Sequence, residues 1–215
     1  MRTRSTVCEV TTLYGDLLDR LDLPSAGTVV VGPSGGGKST LAVAIAGRLG
    51  AALLSTDDFL IPEAERTGPG LLAKYELGSL DAALAQLQAG RATEYVPFDQ
   101  QTRQRVGHKV VAPSESGGIM VAGIVALYAE RVLATSTLAL YVDAPPEVRE
   151  ARQLARIDSE GWYRGMPRAD VEAQIRAKRA AEDTIVHYQL AQCQYAISTA
   201  GPSPSLVRVI GAAAA

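Results

Sequence analysis

The sequence is poor in the residues that mark export, metal binding or nucleic-acid binding. Its only two cysteines, Cys8 and Cys193, stand at opposite ends of a 215-residue chain, and neither lies in a CxxC or Cys/His spacing. That excludes a disulfide framework and a zinc-finger pattern, and it fits a reducing cytoplasm as the expected location. The two histidines, His108 and His187, are isolated, so no structural metal is expected, since such a site needs converging ligands. No stretch approaches the roughly 20 apolar residues of a membrane span, and the arginines near Met1 have no apolar run behind them. Neither a membrane partner nor an export signal is expected. Basic surplus is missing too: the formal net charge is −2, whereas nucleic-acid binders carry excess positive charge to neutralise phosphates. No nucleic-acid partner is expected, and any anion site has to be local.

What is present reads as a globular enzyme, with nearly half the residues apolar and a fifth charged. The length suits a single domain over 1–215. Val10, Leu13, Leu17, Leu18 and Leu21 recur with helical spacing until Pro24 and Gly27. Thr28 to Val31 then reads as a strand that opens on glycines, Ser39 to Leu49 as a helix stopped by Gly50, and Ala51 to Ser55 as a second strand. The acids Asp57 and Asp58 follow, then a Pro/Gly-bearing loop from Leu60 to Gly70. A helix through Leu80, Leu84 and Leu87 closes at Gly90. Alternation through Arg91 to Phe98 and Val106 to Val111 predicts a hairpin, a candidate substrate flap over 91–111. Ile119 to Ala122 and Leu138 to Val142 read as buried strands with Val125 to Leu133 helical between them. A long arginine-rich helical run, Pro146 to Ala181, is broken at Gly161 to Pro167 and gives a candidate lid over 152–168. Gln194 to Ser198 is read as the last strand and 201–215 as a tail. The βαβ alternation predicts an α/β fold with a parallel five-stranded sheet flanked by helices.

Gly32-Pro33-Ser34-Gly35-Gly36-Gly37-Lys38-Ser39 satisfies GxxxxGK[ST] between a predicted strand and a predicted helix, the context that gives this phosphate loop its meaning. Its glycines let backbone N–H groups turn toward phosphate oxygens, and the helix that follows aims its positive end at the same point. Lys38 is expected to bridge the β- and γ-phosphates of ATP, and the Ser39 hydroxyl to ligate Mg²⁺. A phosphate loop does not name a reaction, because kinases, GTPases, transport ATPases and metallochaperones share it. A kinase further needs a carboxylate near the acceptor hydroxyl and cations for the transferring group. Asp57 and Asp58 can meet the first need, or cap a turn. Arg149, Arg152 and Arg156 at helical spacing, with Arg164 beyond, can meet the second, or form a solvated helix face.

Five stretches resemble the uridine kinase and phosphoribulokinase group, which includes pantothenate kinase and nicotinamide riboside kinase: GPSGGGKST at 32–40, STDDFL at 55–60, LDAALAQLQAG at 80–90, VPFDQQTRQR at 96–105, and AGIVALYAERV with LALYVDAPPEVREARQLAR at 122–156. The resemblance covers about 170 residues in matching order. It implies a P-loop NTPase fold and an ATP- and Mg²⁺-dependent small-molecule kinase whose nucleotide site runs from Gly32 to Thr40 and includes Arg152. It assigns the catalytic carboxylate, also a metal-site residue, to Asp57. Asp58, Phe98, Asp99, Arg103, Arg105 and Arg164 are expected at the acceptor, Arg152 and Arg156 at the transferring phosphoryl group, and Thr199-Ala200-Gly201 at the adenine pocket.

Two features depart from the family pattern. Where the family carries Glu-Gly after the third strand to organise Mg²⁺ and its waters, this chain has Ala122-Gly123, which puts more of that task on Asp57 or on another acid such as Glu115. Phe98 and Arg103 also replace the usual Tyr and His of the hairpin, which implies an altered acceptor. A nucleoside or nucleoside-like metabolite is the expected acceptor, with pantothenate or a sugar acid as the alternative, and a slow NTPase of the regulator or metallochaperone type as the alternative function. Homo-oligomerisation is left open.

Overall fold

The computed structural model describes residues 14–24, 27–161, 163, 165–201 and 204–208. Helix α1 is seen over 14–19; Val10 and Leu13 of the expected first helix, Cys8, Arg164 and the terminal alanines lie outside the described residues. Strand β1 (Thr28–Val31) leads through the glycine loop into α2 (Lys38–Leu49), then β2 (Ala52–Ser55), a 3-10 turn (Thr56–Phe59) and two further 3-10 turns (Glu63–Glu65 and Leu72–Lys74). Helix α3 (Leu77–Gln88) precedes an excursion made of β3 (Thr93–Tyr95), β4 (Phe98–Asp99), β5 (Gln104–Arg105) and β6 (Lys109–Val111). The chain returns through β7 (Ile119–Ala122), a 3-10 turn (Ala126–Tyr128), α4 (Glu130–Thr135), β8 (Leu138–Asp143), α5 (Pro146–Glu160), α6 (Arg168–Leu190), β9 (Tyr195–Ser198) and β10 (Ser205–Arg208).

The main sheet runs β2-β7-β1-β8-β9-β10, parallel throughout except for β10, which pairs antiparallel with β9. Its strands are apolar on both faces because both are covered. Val29, Val31, Val121 and Tyr141 face α3, the segment around α4, and Val186 of α6. The alternate residues Val30, Met120, Leu140 and Val142 face α1 and α2, whose Leu17, Leu18, Leu41 and Ile45 complete the second layer. Strand order reverses about β1, and in such sheets the crevice at the strands' carboxyl ends holds the ligand. The glycine loop and the Asp57–Asp58 turn both leave the sheet at that end.

Four expectations are corrected. The sheet has six strands rather than five, since Ser205–Arg208 of the expected tail pairs with the otherwise open edge of β9 and satisfies its backbone groups. β9 is therefore not the last strand. The single helix expected over Val125 to Leu133 is a 3-10 turn followed by α4. Side chains from elsewhere hold each part: Gln189 Oε1 accepts from Leu127 N at 3.0 Å, and Asp81 Oδ1 accepts from Arg131 N at 3.1 Å. Helix α6 runs on past Ala181 to Leu190, with Val186 and Gln189 buried. Among the described residues no helix is long and apolar enough to cross a membrane.

Candidate active site

The glycine loop packs tightly on the end of β8. A Cβ on Gly32, whose φ is 146°, would overlap the Val142 carbonyl oxygen, so only glycine lets the loop pass there. Gly36 N donates to Pro33 O at 3.1 Å, and the buried Lys38 ammonium curls back to donate to the same carbonyl at 2.8 Å. Burial brings the Lys38 pKa down to about 8, opposed first by the negative charge of Asp57 and then by that of Glu182. Ser39, in the first turn of α2, is exposed. Helix α5 and the loop after β9 brace the loop from outside: Arg152 donates to Gly35 O at 3.2 Å, to Thr199 Oγ1 at 2.8 Å and to Thr199 O at 2.6 Å. Gln153 Nε2 donates to Ser34 O at 2.9 Å, and Thr199 Oγ1 donates to Gly36 O at 2.8 Å.

The two acids after β2 diverge, as successive residues of a tight turn do. Asp57 lies in the 3-10 turn, with its N–H on Ser55 Oγ at 3.3 Å, and its charge acts on Lys38 and on the buried Tyr75. Asp58 turns to the hairpin, where it accepts from Tyr95 Oη at 3.0 Å and pairs with Lys109 Nζ at 2.7 Å. Burial, then the Asp58 charge, push the Tyr95 hydroxyl far above its usual pKa, so it stays a donor. Arg105 extends from the hairpin to Leu60 O at 3.1 Å and to Glu76 at 2.7 Å, while its buried Nη2 has no hydrogen-bond partner among the described residues.

Other expected site residues are engaged elsewhere. Asp99 Oδ1 accepts from Gln101 N, Thr102 N and Thr102 Oγ1, which ties it into the hairpin turn and holds its carboxyl below the usual range. Arg103 sits in that turn at φ 59°, its guanidinium 5.8 Å from the centre of the buried Phe98 ring. Arg156 pairs with Glu160 at 2.9 Å on an exposed face of α5. Glu115 precedes β7, at the end of the sheet opposite Ala122, and cannot replace the missing third-strand carboxylate. Gly123 remains obligatory beside Ala122: a Cβ there would overlap the Thr56 hydroxyl.

Mg²⁺ usually keeps waters and is held by one or two carboxylates together with substrate phosphates rather than by a protein cage. The loop suits that mode, with glycine backbone, an exposed Ser39 hydroxyl and Asp57 beside Lys38. Among the described residues no group of three His, Cys, Asp or Glu side chains converges on a metal position.

A family model described as the phosphoribulokinase / uridine kinase family matches residues 73–202. The chain belongs to this family. The match starts after the glycine loop, so the loop and the family assignment are separate observations that point to one activity. The protein is a P-loop kinase. Among solved structures it is similar to a candidate fructose transport system kinase from a Silicibacter species, at 19% identity over 83% of this chain and 94% of that one, with a TM-score of 0.61. It is also similar to a candidate uridine kinase from Bacillus stearothermophilus, at 18% identity over 72% and 94% of the two chains, with a TM-score of 0.49. No curated protein matches the chain.

The kinase site contains residues that motif reading passed over. Tyr95 and Lys109 hold Asp58, Gln153 braces Ser34, and Glu182 reaches the loop electrostatically. Only Glu182 had a legible signal, as a charge on the buried face that α6 forms with the apolar Val171, Ile175 and Val186.

Proposed function

We propose that this kinase transfers the γ-phosphoryl group of ATP to a hydroxyl of a small molecule with a nucleoside-like or sugar-like polyol face, with the acceptor held between the hairpin and the Leu60 to Gly70 loop. The observation that carries the reading is a glycine loop with its buried Lys38 at the carboxyl end of β1, next to the turn after β2 that carries Asp57, whose negative charge acts on Lys38.

In this reading the loop N–H groups and Lys38 hold the phosphates, and Ser39 and Asp57 would hold Mg²⁺, which would supply neutralisation of the phosphates' negative charge. Asp57 orients the acceptor hydroxyl and takes its proton as the new O–P bond forms. The bond from the γ-phosphorus to the bridging oxygen breaks, and its electron pair leaves on ADP. Lys38 stays with the phosphates and offsets the charge that accumulates there. Arg152 fixes the loop, and Arg156 reaches the transferring group when the 152–168 segment closes. Arg105, with a donor to spare, and Asp58, held by Tyr95 and Lys109, contact the acceptor.

Acceptor-dependent ADP release, measured across nucleosides, pantothenate, free sugars and sugar acids, tests the proposal. A single class that raises ADP release well above the acceptor-free rate supports it. ADP release that is independent of every acceptor returns the protein to a slow NTPase.

A further inference from the structure

Helix α6 packs on the face of the sheet opposite α2 and buries a second carboxylate, Glu182, there. Its buried side is fixed at both ends of a two-turn span. At one end the Gln189 amide bridges Leu127 N and Ile124 O, just after β7. At the other, Asp183 takes two hydrogen bonds from the buried Arg149, at 2.7 and 3.0 Å, on the first turns of α5, whose backbone lies against Gly35. Glu182 is seven residues before Gln189, so it shares that face about 10 Å along the axis. It is 1% exposed. Its ion partner, Lys178, is half exposed, and although the two lie 3.3 Å apart, Glu182 Oε1 makes no hydrogen bond. A buried carboxylate with an open acceptor is costly unless something uses it. Gln189 meets the chain just past the carboxyl end of β7 and Asp183 meets α5 beside the glycine loop, so the buried face of α6 between them lies over the carboxyl ends of the strands; the Glu182 charge acts on Lys38, Lys74 and Tyr75 in keeping with that position.

We propose that Glu182 is the second carboxylate of the phosphoryl-transfer site, a positioning residue that accepts from Mg²⁺-bound water and so fills the task left open at the end of β7 by Ala122. This rests on the kinase reading above. A carboxylate presented from α6 needs no side chain at Ala122, whose methyl packs in the layer against α2. It would share the task of organising the metal's waters with Asp57, which also serves the acceptor. Such outer partners of a bound metal typically matter by about 10- to 100-fold in metal affinity.

The test is Mn²⁺ affinity in the presence of ADP, read by electron paramagnetic resonance, alongside calorimetric affinity for a non-hydrolysable ATP analogue in EDTA. Wild type is compared with Glu182→Gln and Glu182→Asp. The expected result is a Glu182→Gln protein that binds the analogue in EDTA within about twofold of wild type but binds Mn²⁺ at least about tenfold more weakly, with partial recovery in Glu182→Asp. Unchanged Mn²⁺ affinity in Glu182→Gln would overturn the proposal, as would equal losses with and without metal together with a lowered melting temperature, the mark of a packing residue. If Glu182→Gln does not fold, the folded Glu182→Asp must show the selective metal loss or the proposal fails. A wild-type protein that binds no nucleotide would refute the kinase reading itself, an outcome distinct from each of these.

Discussion

Lys38 shows how function is built at a cost in stability. Its ammonium is buried, and its pKa falls from 10.5 to about 8 because burial penalises the charged form. Below pH 8 both folded and unfolded chains hold the proton, and the folded chain bears the full penalty. Between pH 8 and about 10.4 the unfolded chain binds more protons, so stability rises with pH across that window. Lys38→Met should therefore stabilise the nucleotide-free protein at pH 7 by on the order of 1 kcal/mol, raising its melting temperature, and flatten the wild-type gain above pH 8. It should also abolish tight nucleotide binding. Melting curves at pH 7 and 9, paired with calorimetry, check both halves. The neighbouring acids separate by partner: Asp57→Asn should fold, bind ATP and lose about 10²- to 10⁴-fold in turnover. Asp58→Asn should raise the acceptor KM more than it lowers kcat, because Asp58 works through Tyr95 and Lys109. Steady-state kinetics on the two variants distinguishes them, and the reverse pattern would reassign the catalytic role to Asp58.

Among the elements, α5 divides its arginines between two tasks. Arg152 is bonded to Gly35 and to both oxygens of Thr199, so it holds the loop in shape before any ligand arrives. Arg156 is paired with Glu160 one turn on, an exposed pair of the kind worth little to stability. Arg152→Ala should weaken nucleotide affinity and lower the melting temperature together. Arg156→Ala should leave stability within about 0.5 kcal/mol and reduce kcat far more than nucleotide affinity. Thermal melts and kinetics on both variants decide it, and equal effects in the two would remove the division. The hairpin is a second case. Its presence was readable from alternation, yet Asp99 and Arg103 serve its turn, whereas Tyr95, Lys109 and Arg105 reach back toward the turn after β2 and the loop that follows it. Sequence spacing places residues on one hairpin; the twist and the packing of β3 against α3 choose which face meets Asp58.

For the molecule as a whole, Arg149 joins three parts of the fold. The side chain is 4% exposed, bonded twice to Asp183 of α6 and 3.5 Å from Asp143 at the end of β8, while its backbone abuts Gly35. Removing Asp183 leaves a buried guanidinium with one distant partner. Since Asp183 is itself partly exposed, water softens the loss, and Asp183→Ala is expected to cost about 1–3 kcal/mol. Urea unfolding should show a lower midpoint with an unchanged slope. Because α6 also carries Glu182, the same variant should disturb metal binding, which Mn²⁺ titration reads.

Local signals sufficed for the strands β1, β2, β7 and β8, the helix α2, the phosphate loop and the acid pair after β2. Each is a short apolar run, a glycine spacing or a helical period whose physics lies within about ten residues of chain. The break at Ala126–Tyr128, the edge strand β10 and the reach of α6 were not legible in that way, because Gln189, the open edge of β9 and a buried helix face decide them from far along the chain. The same holds for the site. The placement of Lys38, Ser39 and Asp57 at the carboxyl end of the sheet followed from motif and order, whereas the partners of Asp58 and the burial of Glu182 depend on where the hairpin and α6 pack. Charges are placed by tertiary packing, and a buried carboxylate 144 residues beyond Lys38 carries no local spacing by which to be found.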